Sequence, residues 1–220
     1  REMGDGAFYV KRQTIWLLAS WSLLGITLSI DLRRLLKWAG PGLWMGCILI
    51  AATLVMGTTV NGASRWLVVG PLQIQPSELV KPFVVLQAAN LFAPWTRMNI
   101  DQKLLWLASF GGLLLLILKQ PNLSTAALMG LTLWMMALAA GLRWRSLLGT
   151  AFAGGALGTA SILINEYQRL RVVSFLDPWK DPMGDGYQLV QSLLAIGSGG
   201  VMGQGYGLST QKLQYLPIQS

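Results

Sequence analysis

The feature that most constrains this chain is a run of 27 residues, from Trp38 to Ser64, that contains no charged side chain. A helix of that length, rising about 1.5 Å per residue, crosses the roughly 30 Å hydrocarbon core of a bilayer. Further uncharged runs occupy residues 13–30, 104–118, 120–142 and 146–165. This succession of runs predicts an all-α polytopic membrane protein rather than a soluble domain.

Composition supports this class and excludes several kinds of chemistry. The 220 residues are 53% hydrophobic and only 12% charged, about half the charge usual in soluble domains. The chain has no His, so an imidazole base or metal ligand is excluded. Its single cysteine, Cys47, excludes an internal disulfide and a zinc–thiolate cluster. The glycine-rich run at 197–207 does not match a phosphate-binding G-x-G-x-x-G loop.

We predict about six transmembrane helices, followed by a long loop. Residues 187–197 in that loop are apolar but too short to cross, so we expect a short interfacial helix there. The predicted spans lie roughly at 13–30, 39–60, 76–95, 103–119, 121–141 and 146–165, and the loop lies at 166–200.

The spans place the segments "RWLVVGPLQIQPSELVK", "KQPN" and "FLDPWKDPMGDGYQ" on the same side of the membrane, together with the start of the chain. Ten Lys and Arg residues lie on that side and seven on the other. The seven flank span ends, where the positive-inside rule has most force, whereas several of the ten lie inside the segments themselves. The net charge of +8 fits anionic headgroups, an anionic substrate or cytoplasmic anchoring. Charge alone therefore leaves the orientation open.

Two charged groups are candidates at the start of the third span. Glu78 and Lys81 are three residues apart, so on a helix they share a face and can pair. The pair either stabilises the helix start or, as an ionisable pair at membrane depth, serves function. Arg65, followed by Trp66, is either an interfacial anchor or a phosphate ligand.

The polar loop contains two Asp-Pro pairs, at Asp177 and Asp181. Asp-Pro favours turns, so one interpretation is two successive turns with Asx-type hydrogen bonds. The other is a carboxylate held on a rigid loop at the bilayer surface as a general base. Lys180, Arg169 and Arg171 lie nearby and suit an anionic partner.

Three motifs, in this order, resemble the SEDS family (shape, elongation, division and sporulation proteins). They are "NGASRWLVVGPLQIQPSELVK", "KQPNLSTA" and "FLDPWKDPMGDGYQLVQSLLAIGSGGVMGQGYGLSTQKLQYLP". The resemblance covers nearly the whole chain, and "PWKDP" with "QKLQYLP" is more similar to the FtsW branch than to the RodA branch. Family members typically have ten spans, so the resemblance implies a piece without the first span and the last three.

The resemblance implies a peptidoglycan glycosyltransferase of cell-wall biogenesis that polymerises lipid II during bacterial cell division or elongation. The enzyme would be an inverting transferase with an undecaprenyl-diphosphate-linked donor. It would be a multi-pass protein of the bacterial cytoplasmic membrane, with the motif loops extracytoplasmic. The implied partners are membrane lipid, a class B penicillin-binding protein and other division or elongation proteins, and no nucleic acid.

The resemblance also assigns residues. Asp181 matches the essential loop aspartate and is the expected catalytic base. The substrate-binding residues that the resemblance implies are Arg65, Glu78, Lys81, Asp177, Gln188, Gln191 and Ser192. Arg171 is added as a further cation that could stabilise the diphosphate. No protein metal site is predicted, although a divalent cation (Mg or Mn) could help to stabilise the diphosphate. The family usually has Asp and Gly where this chain has Asn122 and Ser124, so an acidic role at that turn is not expected here.

Two other functions remain open from the residues. In a lipid II flippase, Arg65, Glu78 and Lys81 would line a headgroup pathway and Asp181 would be a gate or a turn. In a non-catalytic scaffold of the division or elongation machinery, none of these residues would perform chemistry. A transporter should tolerate Asp181→Asn better than changes along the spans, and a scaffold should tolerate both.

Overall fold

The computed structural model describes residues 8–60, 63–69 and 72–205. These residues form eight α-helices and a short antiparallel ribbon, which confirms the predicted all-α membrane architecture. The helices are α1 Phe8–Ser29, α2 Leu32–Met56, α3 Pro76–Phe92, α4 Ile100–Lys119, α5 Leu123–Ala139, α6 Trp144–Ile164, α7 Glu166–Leu176 and α8 Tyr187–Gly199. The ribbon strands are β1 Thr58–Val60, β2 Ala63–Val69 and β3 Leu72–Ile74, in the order β1-β2-β3.

Each of the six predicted spans overlaps one of the helices α1 to α6. Among the described helices, α2, α4 and α6 are long and apolar enough to cross a membrane on these criteria alone, and α5 is a shorter apolar helix. The bounds of the spans stay predictions. The second predicted span, 39–60, is not helical throughout, because α2 ends at Met56. Gly57 has extended backbone there, and the β-branched residues that follow favour the strand β1.

The loop at 166–200 contains two helices rather than one. The short helix expected at 187–197 is present as α8. An additional helix, α7, was not predicted from the sequence. It follows α6 directly after Asn165, has Glu166 in its first turn and ends at Leu176, before Pro178. An acidic residue in the first turn and a proline just beyond the last turn are common features of helix boundaries.

The buried core lies among α2, α3, α4 and α5. Its fully buried members include Leu43 and Ile50 of α2, Val84 of α3, and Leu113 and Ile117 of α4. In contrast, every described residue of α1 from Val10 onwards is exposed, and Leu147 is the only buried residue of α6. Apolar side chains on these outer helices suit a surface that faces lipid, since lipid tails solvate them without cost.

Close packing of α2 on α3 depends on Gly42 and Gly46. A Cβ atom at Gly46 would lie 2.2 Å from Cγ2 of Val80, and one at Gly42 would lie 2.2 Å from Cδ1 of Phe83. Small residues four apart let two helix backbones approach closely, which is a common way to pack helices in membranes. The α2–α3 contact therefore has no room for a side chain at either glycine.

A buried polar contact joins the end of α4 to α2. The Nε2 atom of Gln120 donates to the hydroxyl of Thr53 and to the carbonyl of Ile50, the latter at 3.4 Å. Thr53 in turn donates to the Ile50 carbonyl at 2.7 Å. Because Gln120 belongs to "KQPN" and α2 leads into β1, this contact brings the first two motif segments to the same end of the bundle.

We expect Gly46→Ala to lower the thermal stability of the complete protein in detergent, because overpacking of this kind costs about 1–3 kcal/mol. The matched control is Gly111→Ala on α4, where an added Cβ atom meets nothing within 4 Å. Thermal unfolding followed by tryptophan fluorescence should show a transition several degrees lower for Gly46→Ala only. Equal transitions for both variants would show that α2 and α3 are not packed this closely.

Candidate active site

The loop between α7 and α8 holds the carboxylate of Asp181 through its own backbone. Oδ1 of Asp181 accepts a hydrogen bond from the Gly184 amide at 3.0 Å, and Oδ2 accepts one from the Asp185 amide at 3.1 Å. The main-chain carbonyl of Asp181 also accepts from the Gly186 amide at 3.1 Å. The side chain is exposed, so each oxygen keeps acceptor capacity on its open side. The carboxylate is thus fixed in direction but accessible.

Two glycines make this arrangement possible. A Cβ atom at Gly184 would lie 2.1 Å from Oδ2 of Asp181, so any side chain there would displace the carboxylate. A Cβ atom at Gly186 would lie 2.2 Å from the carbonyl oxygen of Pro178. Pro178 itself is buried. The glycines of "DPMGDG" are therefore steric requirements of the Asp181 turn, and this role was not predicted from the sequence.

The two Asp-Pro aspartates differ in structure. Asp181 makes the Asx-type bonds that the turn interpretation predicted for both residues. The carboxylate of Asp177 makes no hydrogen bond or ion pair to any described residue, and its backbone ends α7. A turn therefore follows each aspartate, since the Lys180 amide donates to the Asp177 carbonyl at 3.4 Å, but among the described residues the Asx-type bonds form only at Asp181. The same bonds that form the Asp181 turn also orient its carboxylate, so the structural and functional interpretations of this residue are compatible.

Glu78 and Lys81 form the ion pair that their spacing predicted. The Nζ atom of Lys81 lies 2.7 Å from both carboxylate oxygens of Glu78, in the first turns of α3. The Lys81 side chain is 30% exposed and that of Glu78 is 51% exposed. An ammonium group has three donors, so Lys81 keeps one for a further acceptor. Among the described residues, no hydrogen bond or ion pair joins this pair to Asp181.

Arg65 lies in β2, at an irregularity of the ribbon. Thr58 pairs with Trp66 and Thr59 pairs with Ser64, so Arg65 is the extra residue of a β-bulge. A bulge locally twists and bends its strand and can redirect a side chain. The side chain of Arg65 lies outside the described part of the chain, so its binding role stays a prediction.

The polar residues of α8 share one face. Gln188, Gln191 and Ser192 are spaced three and four apart, and the Ser192 hydroxyl donates to the Gln188 carbonyl at 2.7 Å. Gln188 is exposed, and the other two are partly buried. The helix packs against the 3₁₀ turn Pro178–Lys180. The structure therefore brings the Asp181 loop and α8 together, whereas binding by the polar face of α8 stays a prediction.

Arg171 lies on α7 and lines a cleft of about 430 Å³ between this helix and the start of α5. Its guanidinium carbon lies 5.5 Å from the centre of the Tyr167 ring. The cleft joins the "KQPN" turn to the segment that precedes the Asp181 loop, so all three motif segments meet at one end of the bundle. The lining residues are Pro121, Asn122, Leu123, Ser124, Tyr167, Gln168, Arg171, Val172, Phe175 and Leu176.

The described residues do not form a cluster of metal-ligating side chains. Nowhere in the described ranges do three or more Asp, Glu or Cys side chains come together.

Taken together, the apolar outer helices and the polar loops gathered at one end define a polytopic membrane protein. A family model described as "Cell cycle protein", for FtsW, RodA and SpoVE, matches residues 1–220. The chain belongs to this family, which confirms the SEDS resemblance.

Two curated relatives are similar over 99% of this chain. The "Probable peptidoglycan glycosyltransferase FtsW" of Synechocystis sp. is 50% identical over 218 residues, and the match covers 56% of that protein. The "Putative peptidoglycan glycosyltransferase FtsW" of Cyanophora paradoxa is 46% identical over 219 residues, which cover 55% of it. The chain thus spans about half the length of these relatives. Both carry the FtsW name, in agreement with the predicted branch.

Solved structures show the same fold. A chain from work on "Structural coordination of polymerization and crosslinking by a peptidoglycan synthase complex" superposes with a TM-score of 0.68 at 35% identity, over 87% of this chain and 57% of that one. The rod shape determining protein RodA of Thermus thermophilus superposes with a TM-score of 0.60 at 30% identity, over 70% of this chain and 52% of that one.

We expect Asp181→Ala to release the loop amides that its carboxylate binds. Loss of a hydrogen bond worth about 1 kcal/mol corresponds to roughly fivefold faster local exchange. Hydrogen–deuterium exchange of the complete protein should therefore quicken in peptides that contain Gly184 and Asp185. Asp177→Ala is the matched control, because its carboxylate binds no described group. The same exchange rates in wild type and Asp181→Ala would contradict the observed turn.

Proposed function

We propose that the whole protein is a peptidoglycan glycosyltransferase that polymerises lipid II, with Asp181 as the general base. The observation that carries the proposal is the exposed Asp181 carboxylate, held by two backbone amides of its own loop. A base whose direction is already fixed does not have to be ordered when substrate binds. The names of the relatives, each a peptidoglycan glycosyltransferase, support the reaction class.

In the proposed step, the hydroxyl of the acceptor sugar attacks the anomeric carbon of the donor from the face opposite the diphosphate. Asp181 takes the hydroxyl proton as the new carbon–oxygen bond forms. The bond from the anomeric carbon to the diphosphate breaks, and the diphosphate leaves with the electron pair. One displacement of this kind inverts the anomeric configuration. General-base assistance contributes typically about 10²–10⁴-fold to such a step.

The diphosphate leaving group requires cationic stabilisation. Lys81 is a candidate because Glu78 holds its ammonium group at 2.7 Å while one donor remains for a phosphate oxygen. Arg65 and Arg171 are the other proposed ligands, since a guanidinium fork matches phosphate oxygens. Asp177, Gln188, Gln191 and Ser192 would contact the glycan, as they lie next to the Asp181 loop or on the helix packed against it. A divalent cation could share the charge, and no step depends on it.

We propose that the Asp181 end of the bundle is extracytoplasmic and that the protein resides in the bacterial cytoplasmic membrane. The clustering of all three motif segments at one end supports a single working face. We also propose a class B penicillin-binding protein as the partner that crosslinks the product. The similar chain from a complex that coordinates polymerization and crosslinking supports this pairing.

We expect Asp181→Asn to abolish polymerisation of lipid II by the complete protein, purified with its crosslinking partner, because an amide cannot accept the proton. The loss should be about 10²-fold or more, measured as glycan polymer on gels. Asp177→Asn is the matched control on the same loop, and we expect a much smaller loss.

A second pair of variants leaves the carboxylate in place. Gly184→Ala should reduce polymer strongly, because its Cβ atom occupies the position of Oδ2 of Asp181. Gly197→Ala on α8 meets nothing within 4 Å and should be tolerated. All variants are first checked for folding and partner binding. Normal polymerisation by Asp181→Asn would exclude the proposed base, and a wild-type protein that only translocates lipid II would favour the flippase.

A further inference from the structure

The cleft between the start of α5 and α7 contains buried donors without an acceptor. Asn122 is 5% exposed and Gln168 is 3% exposed, and both line the cleft. The Nδ2 atom of Asn122 and the Nε2 atom of Gln168 are shielded from solvent and have no hydrogen-bond partner among the described residues. Burying a donor without an acceptor costs free energy. Two such donors at one cleft indicate that an acceptor belongs there.

The oxygen atoms of these two side-chain amides already accept hydrogen bonds, so only their nitrogen atoms remain without a partner among the described residues. Oδ1 of Asn122 accepts from the Thr125 amide as the N-cap of α5. Oε1 of Gln168 accepts from the Ser161 hydroxyl at 2.9 Å. Each amide therefore presents only its N–H side for binding. The amides of Leu123 and Ser124 add to these donors, because the first N–H groups of a helix have no partner within it and lie at its positive end.

The charge at the cleft favours an anion. Arg171 supplies a guanidinium group, and none of the described lining residues is acidic. On α7, the acid Glu166 does not line the cleft and lies 3.7 Å from Arg169. Asn122 and Ser124 both line the cleft. The Asn122 side chain is neutral, and the Ser124 hydroxyl is a further possible donor.

The other part of the lining is apolar and includes Leu123, Val172, Phe175 and Leu176. Phe175 and Leu176 are 73% and 77% exposed. Donors beside an apolar, accessible surface suit an amphipathic ligand, with an anionic head and a hydrocarbon chain, better than a free ion. The volume of about 430 Å³ exceeds what a single phosphate group needs.

We propose that this cleft binds the phosphate group of a lipid, through Asn122, Gln168, Arg171 and the N-terminus of α5, with the lipid chain along Val172, Phe175 and Leu176. The lipid is either the isoprenyl diphosphate of the polymerisation substrate or an anionic membrane phospholipid. Only its identity as the isoprenyl diphosphate rests on the proposed function. Binding itself requires no polymerisation.

The test measures lipid binding to the complete protein by native mass spectrometry, with undecaprenyl diphosphate and phosphatidylglycerol as separate probes. Asn122→Asp keeps the shape and the N-cap oxygen but replaces the donor with a negative charge. Arg171→Gln removes the cation. We expect each to weaken binding of the occupying lipid about tenfold or more, since hydrogen bonds to charged groups are stronger than neutral ones. The matched control is Arg169→Gln on the same helix, outside the cleft, which should bind as wild type.

Each outcome has one meaning. Loss with undecaprenyl diphosphate alone supports a site for the substrate diphosphate, and loss with phosphatidylglycerol, or with both probes, supports a general lipid phosphate site. Unchanged binding of both probes by Asn122→Asp and Arg171→Gln overturns the proposal. Equal losses for Arg169→Gln and Arg171→Gln also overturn it, because the effect would then be non-specific attraction. If Asp181→Asn polymerises normally while Asn122→Asp loses lipid, the proposed base fails and this site stands.

Discussion

In a bilayer, every backbone polar group at membrane depth needs a partner within the protein, and the rest of this structure follows from that constraint. Helices meet it by themselves, which is why α1 to α6 dominate the chain. Irregular backbone is tolerated only outside the hydrocarbon region or where its polar groups are paired within the protein. Here the β-ribbon, the Gln120–Asn122 turn and the Asp181 loop gather at the same end of the bundle. The constraint that forces helices elsewhere thus concentrates polar chemistry at one face.

Within that face, the Asp181 loop satisfies two of its backbone amides with the carboxylate that we propose as the general base. The carboxylate accepts from Gly184 and Asp185, while its exposed side remains available. One side chain therefore has both the observed structural role and the proposed catalytic one, so deleting it would affect both. Gly184 and Gly186 leave room for this arrangement. The Asp177 carboxylate, four residues earlier, accepts no hydrogen bond from the described backbone and is therefore a weaker candidate for the general base.

Local features were predictable from the sequence, and long-range ones were not. The Glu78–Lys81 pair follows from a spacing of three on a helix, and the helices of the spans follow from uncharged runs. Helix α7 could have been predicted only if Asn165 and Glu166 had been interpreted as the start of a new helix. The cleft at Arg171 depends on contact between segments about 45 residues apart along the chain, which no local pattern encodes. An Asx-type turn at Asp181 could have indicated a role for Gly184, whereas the steric reason for a glycine there is visible only in the structure.

The proposed reaction depends on transfer of the acceptor hydroxyl proton to Asp181, and a structure of the complete protein with lipid II bound would test this transfer directly. We expect the acceptor hydroxyl within about 2.6–3.2 Å of an Asp181 oxygen, with the Gly184 and Asp185 amides still bound to the carboxylate. A bound substrate whose acceptor hydroxyl lies out of reach of Asp181 and beside another carboxylate, such as Glu78, would contradict it.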